Sequence, residues 1–374
     1  MATAWPSYDR LVVHFSGGVR GINHFEDNQL YFLPVIRKEH RPYKTLEKFS
    51  DIFHLSRYGT IYGMDFYTTI DQIQNLYPPI WESFSYNHGN GFLYYTIRKK
   101  LSEIRNAAYC KELYKLHDTL DKISAWTNAT ARSLRSASDG YHKVLTTICT
   151  KNEFEQNKAF EDMNYDAIID SLHSFLYHAG TLRDHIAEFI VLHIGRGFDR
   201  ETRKKPRMSK LISKLEESNN DFDIGDIKQY LLDSNDLDAK AEIMPGWLCK
   251  LNKYRNIITH EKSLDKIVCR NWMWMLLKQV DNWDIPTIHF PIPSIPIINS
   301  DYFKNSPNMP PEKLKRAAAS HDFMLNNPDG LEVMWQIFIQ LLLLIEKVLQ
   351  QSPLPPEPIL LDRTNSRLIR MTYT

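Results

Sequence analysis

The 374 residues carry 43% hydrophobic and 24% charged side chains at a formal charge of +1, the profile of an ordinary folded chain long enough for two or three domains. So small a net charge excludes bulk attraction to nucleic acid or anionic lipid, and any such partner must be met by a local basic patch. Four scattered cysteines without a Cys-x-x-Cys pair exclude a zinc ribbon and a disulfide framework, and they fit a reduced, cytoplasmic setting.

Residues 1–60 read as β-rich. Leu11–Phe15 and Leu30–Ile36 are apolar runs of strand length, separated by Gly17, Gly18, Gly21, Asp27 and Asn28. Ser16–Gly21 lacks the Gly-Lys-Ser/Thr of a phosphate loop and reads as a turn. The start has no apolar h-region, so no signal peptide is expected, and the sequon at Asn128 carries no weight. Residues 61–155 read as a helical accessory region. Leu101, Ile104, Ala108, Leu113, Leu116, Leu120 and Ile123 keep helical spacing over Leu93–Ala125, and Ser133–Gly140 reads as a break.

Residues 156–351 read as a helical bundle. Asn164–Ile194 carries a broad apolar stripe and should end at Gly195 or Gly197. A charged loop follows over Arg196–Lys210, then shorter helices over Met208–Glu217 and Ile227–Leu232. A helix over Trp247–Glu261 has Pro245 at its entry, and another is expected over Asp265–Val280. The prolines of 285–311 predict an extended insertion without helix or central strand. Leu331–Gln350 reads as a buried helix; its apolar run, Trp335–Ile345, is too short to span a bilayer. Residues 352–374 read as an extended tail. The fold class expected is mainly α, with a β-containing N-terminal region.

Three Arg/His pairs are separated by four to six residues: Arg135/His142, Arg316/His321 and Arg255/His260. The first encloses Gly140 and polar residues and reads as a loop. The second has Ala317 where a polar residue is wanted. The third, Arg255-Asn256-Ile-Ile-Thr-His260, lies in an amphipathic segment and brings Asn256 and His260 onto one helix face. Arg255 lies one position round, with a stem long enough to reach the same volume. Those side chains suit metal-free RNA cleavage. An imidazole with a pKa near working pH moves the 2′-OH proton. A guanidinium fork holds phosphate oxygens and stabilises transition-state charge. An Arg and a His salt-bridging within a bundle account for the same residues without chemistry.

The Arg-x4–6-His pattern with a polar residue after the Arg resembles the motif of HEPN ribonucleases. The resemblance covers about residues 160–350, and its specific part is Arg255-Asn256-x-x-x-His260. It implies a HEPN-like helical bundle, with Asn164–Ile194 as the first long helix and Trp247–Glu261 as the motif helix. It also implies a homodimer whose paired motifs make one cleft, attack by the ribose 2′-OH with no cofactor or metal, and a toxin or anti-phage role. Arg183, Asp184 or Glu188 would face the cleft from the long helix. Where some relatives carry a modifiable Tyr two residues past the His, this chain has Lys262, so an antitoxin acting on that position is not expected. Another antitoxin or regulatory partner stays open, as does a non-catalytic bundle binding nucleotide or protein.

Two other constellations stand out. Arg203, Lys204, Lys205 and Arg207 sit in a run rich in cations that offers RNA phosphates a footing, or else forms a solvated loop. His173, His178, His185 and His193, with Asp184 and Glu188, raise a metal site in the bundle. The segment lacks His-Glu-x-x-His, and satisfied histidines explain it better. Trp272, Trp274 and Trp283 read as core rather than as base-stacking residues.

Overall fold

The computed structural model describes residues 10–24, 29–34, 44–45, 59–74, 77–83, 93–217, 224–238, 244–258, 273–280, 283–292 and 327–355. These residues are mainly helical, with two antiparallel sheets. The first sheet is built from β1 (Arg10–Phe15), β2 (Arg20–His24), β3 (Gln29–Leu33), β4 (Lys44–Thr45), β5 (Ile61–Tyr67) and β6 (Ile80–Ser83), in the order β4-β3-β2-β1-β5-β6. The apolar run at Leu11–Phe15 forms a strand as expected, and the run expected over Leu30–Ile36 is strand as far as Leu33, with Val35 and Ile36 outside the described residues. The Ser-Gly-Gly turn between β1 and β2 is a single 3-10 turn with Gly17 and Gly18 at positive φ. Gly18 has no room for a side chain, because a Cβ there would meet the Tyr141 backbone at 2.8 Å.

The helical reading of residues 61–155 is corrected at its start by β5 and β6. Every residue of Ile61–Phe66 is buried, so the strand sits inside the molecule and shows no in–out alternation for a sequence reading to find. A four-residue helix, α1 (Ile70–Ile73), links it towards β6.

Two helices follow, α2 (Leu93–Cys110) and α3 (Tyr114–Thr150). The periodicity over Leu93–Ala125 is helical but broken at 111–113, where Glu112 takes φ 57° and Leu113 N–H returns to the Ala108 carbonyl at 2.9 Å. The break expected at Ser133–Gly140 is absent: α3 runs through it for 37 residues. Its small residues serve close packing instead. A Cβ on Gly140 would meet Ile168 Cγ1 at 2.9 Å, and Ser133 and Ala137 are buried on the same side. Arg135 and His142 therefore lie in helix, not in a loop.

The apolar stripe of 164–194 forms α4 (Tyr165–Phe189) and a π-turn over Ile190–Ile194. It ends at Gly195, whose N–H closes on the Ile190 carbonyl at 2.7 Å. The cationic run expected as a loop contains α5 (Arg200–Lys204), capped by Asp199, whose Oδ1 accepts from Thr202 N–H at 2.6 Å. Next come α6 (Met208–Glu216), α7 (Ile227–Asn235) and α8 (Trp247–Asn256), then α9 (Gly330–Gln350). Asp329 caps α9 by accepting from Leu331 and Glu332 N–H at 3.0 and 3.1 Å.

The helix expected over Asp265–Val280 is a strand in its described part, β8 (Met273–Val280). It pairs with β7 (Lys158–Phe160) and β9 (Trp283–His289) in the order β7-β8-β9. Met273, Trp274 and Met275 are all buried, and a consecutive apolar run does not separate strand from helix. The extended reading of the Pro-rich segment holds at its start, but as paired strand. Pro286 fits because β9 is an edge strand, with no neighbour wanting its missing N–H. The buried apolar side chains of both sheets and the helices form one continuous core, with α9 nearly all buried within it.

Candidate functional site

The motif helix α8 lies against α4. Trp247, Leu248, Leu251 and Tyr254 form its buried face. Arg255, next in line, is carried to the rim of the contact. It fits because α4 has Gly180 beneath it: a Cβ there would lie 2.5 Å from Arg255 Cδ. The guanidinium then reaches Asp184, one helical turn further along α4, with Nη1 to Oδ2 at 3.4 Å.

Asp184 is the hub of the cluster. Its Oδ1 accepts from Arg183 Nε and Nη2 at 3.3 and 3.0 Å and from Met208 N–H at 3.3 Å. Arg183 also donates from Nη1 to Asn252 Oδ1 of α8 at 3.2 Å. Burial lowers the pKa of Arg183, against the opposing pull of Asp184. The side chain of Arg183 is 4% exposed, against 21% for Asp184 and 28% for Arg255. One arginine is thus structural and the other faces outward. Asn256 is exposed at the end of α8, and a π-turn continues over Ile257 and Ile258. His260 lies outside the described residues, as do Arg316 and His321.

Of the three α4 residues expected near Arg255, Arg183 and Asp184 are in the cluster. Glu188 instead accepts from His185 Nδ1 at 2.9 Å and from Lys122 at 3.4 Å. His178 meets Ser133 at 2.9 Å and His193 meets Thr119 at 3.3 Å. Among the described residues no group of three or more His, Cys, Asp or Glu is placed to hold a metal ion.

Most of the cationic run lies just ahead of Met208, whose N–H docks on Asp184. Arg196, Arg200, Arg203, Lys204, Lys205 and Arg207 are all exposed. Their neighbours Lys210 and Lys214 face the acidic groups instead: Lys210 lies 4.0 Å from Glu201, and Lys214 lies 3.9 Å from Asp199 and 3.1 Å from Glu217.

A second polar cluster was not anticipated. His14 of β1 places Nε2 3.1 Å from Asp65 Oδ2 of β5 and Nδ1 3.3 Å from Ser138 Oγ of α3. Arg135 binds Asp65 with two hydrogen bonds, at 2.7 and 2.9 Å. Arg20 binds Ser138 at 3.1 Å and Asp139 at 3.0 Å. The Asp–His–Ser order is that of a hydrolytic triad, but His14 and Ser138 have no exposed surface and Asp65 has 2%. A nucleophile sealed this way meets no substrate, and the cluster joins the sheet to α3. Burial lowers the pKa of His14, while His14 and Arg135 hold the Asp65 carboxyl well below the usual range against its own burial. Its trace in the sequence is a charged or polar residue inside an apolar strand, His14 in LVVHF and Asp65 in IYGMDFY.

Compared with family models, curated proteins and solved structures, the chain matches none. No helix among the described residues is long and apolar enough to cross a membrane.

Proposed function

We propose that the chain is a metal-independent endoribonuclease of HEPN type, cleaving RNA at a site built from Arg255, Asn256 and His260. The observation that carries the reading is the outward Arg255 guanidinium, fixed at the α4–α8 rim by Asp184. A cation whose stem is seated over Gly180 and whose head is held by Asp184 is preorganised for a phosphate, which lowers the cost of ordering it on binding. Asn256, exposed beside it, orients the phosphate. His260 takes the 2′-OH proton as that oxygen attacks phosphorus. The bond from phosphorus to the 5′-oxygen breaks, the leaving oxygen takes up a proton, and a 2′,3′-cyclic phosphate remains. A second copy of the chain supplies the same three residues across a two-fold seam, and a toxin or anti-phage effector is the setting that this chemistry suits.

The test is cleavage of mixed RNA in EDTA by wild type, Arg255→Ala and His260→Ala, with the product ends identified. Wild type should leave 2′,3′-cyclic phosphate ends. Each variant should lose at least about 100-fold in rate, the scale of losing an acid–base or charge-stabilising group. Wild-type rates in either variant, or cleavage abolished by EDTA, would sink the reading. RNA binding without cleavage would select a non-catalytic binding bundle.

A further inference from the structure

We infer that the exposed cations of the α5–α6 arm are a sequence-independent footing for the backbone of single-stranded RNA, held in register with Arg255 through Asp184. The inference rests on the reading of Arg255 just given and adds to it the way substrate is gripped. Six exposed cations fall within twelve residues, in a chain whose net charge is only +1, so the arm is a local positive field rather than part of a general one.

The arm is tied to the cleft by a short path. Asp184 accepts the Met208 N–H, at the start of α6, through one carboxylate oxygen and touches Arg255 through the other, at 3.3 and 3.4 Å. Arg207 is the residue just before Met208, so the cations run outward from Asp184 along α5. A phosphate on Arg255 therefore has its chain neighbours beside the arm.

The arm's own chemistry selects the partner. Phe198, Thr202 and Met208 are turned inward and buried, so no large apolar side chain of 196–208 is presented for insertion into lipid. No exposed aromatic lies there for base stacking, so the contact reads phosphates and not sequence. Attack in line with the 5′-oxygen needs a backbone released from A-form geometry, which points to a single strand.

The experiment measures binding by the full-length chain in EDTA. The probes are a labelled single-stranded RNA, the same sequence as a duplex, and phosphatidylserine vesicles. The variant is Arg203→Gln/Lys204→Gln/Lys205→Gln/Arg207→Gln. A control removes four exposed lysines elsewhere, Lys115→Gln/Lys143→Gln/Lys151→Gln/Lys158→Gln. Four lost phosphate contacts should flatten the slope of log affinity against log salt by about 3 for a single strand and weaken binding at least roughly tenfold at low salt. The control should keep the wild-type slope, and permuting the RNA sequence should not change affinity. The arm is refuted if the variant keeps the wild-type slope, if the control loses as much, or if duplex or vesicles bind more tightly than single strand. Binding lost in the arm variant while wild-type RNA is never cut would keep the footing and remove the nuclease reading. Cleavage by wild type with an unchanged slope in the arm variant would do the reverse.

Discussion

Asp65 and Asp184 do the same thing in different surroundings. Each is a carboxylate bridging two basic side chains from separate elements: Asp65 joins His14 and Arg135, and Asp184 joins Arg183 and Arg255. Each joins a buried basic group to one about a quarter exposed, His14 and Arg135 at 1% and 26%, Arg183 and Arg255 at 4% and 28%; what differs is the carboxylate itself, 3% exposed at Asp65 and 21% at Asp184. Identical chemistry then has opposite uses. Enclosed charges must satisfy one another, because water is not there to replace a lost partner. At the rim a partner can be exchanged for a ligand at small cost.

The largest effect expected from that contrast is on stability. Asp65→Ala strands His14 and part of the Arg135 guanidinium in the interior and should cost roughly 3–5 kcal/mol, the usual penalty for breaking an enclosed pair. Asp184→Ala should cost less, roughly 1–3 kcal/mol, because Arg255 is part-exposed and the buried Arg183 keeps its hydrogen bond to Asn252. In RNA cleavage the order reverses: Asp184→Ala should lose activity through a displaced Arg255. Chemical denaturation of both variants checks this. Equal destabilisation would mean that burial does not separate the two clusters.

A smaller effect isolates the rim. Gly180→Ala adds one methyl group beneath the Arg255 stem, at 2.5 Å from its Cδ. The neighbour is a flexible side chain, so the helix should tolerate the change, and alanine's better helix propensity offsets about 1 kcal/mol of the strain. The guanidinium must move, however. Thermal stability within a few degrees of wild type, together with a clear loss of cleavage, is the expected result. Unchanged cleavage would show that the position of the Arg255 stem is immaterial.

The helices α4 and α9 were legible because α4 buries a broad stripe, α9 is apolar nearly throughout, and each has an end that follows the usual rules: Gly195 closes the α4 run, and Asp329 opens α9. The errors share a physical origin. At Ser133–Gly140 small residues allow α3 to approach α4, and sequence alone does not tell small for packing from small for turning. β5 over Ile61–Phe66 and the first three residues of β8 are buried on both sides, so neither stretch alternates. Arg183 and Asp184 were pointed to only by the family resemblance, which did not tell the buried Arg183 from the part-exposed Asp184. The His14–Asp65 cluster was not legible, because its members lie 51 and 124 residues apart and meet only in the folded sheet.

The smallest effect concerns pH and belongs to the edge of the enclosed cluster. His142 of α3 hydrogen-bonds the Gly18 carbonyl through Nδ1 at 2.9 Å, and burial with Arg20 nearby pushes its pKa down to about 4 from 6.5. Between those values the unfolded chain binds a proton that the folded one refuses, so this residue's contribution falls as pH drops from 6.5 towards 4. Asp65 does not share that window: its folded pKa lies below 3.8, so its contribution is lost only in stronger acid. Glu82, raised to about 7 by burial despite its pairing with Arg98, acts with the opposite sign between 4.5 and 7. The net slope therefore mixes both signs, and the difference between His142→Gln and wild type is the quantity to read. That variant keeps a side-chain donor for the Gly18 carbonyl and should lose less stability than wild type between pH 6.5 and 4. Arg255→Ala, at the open rim, should follow the wild-type curve. Parallel curves for His142→Gln and wild type would show that the imidazole takes up its proton as readily folded as unfolded, and that the α3 edge of the enclosed cluster is as open to water as the rim at Arg255.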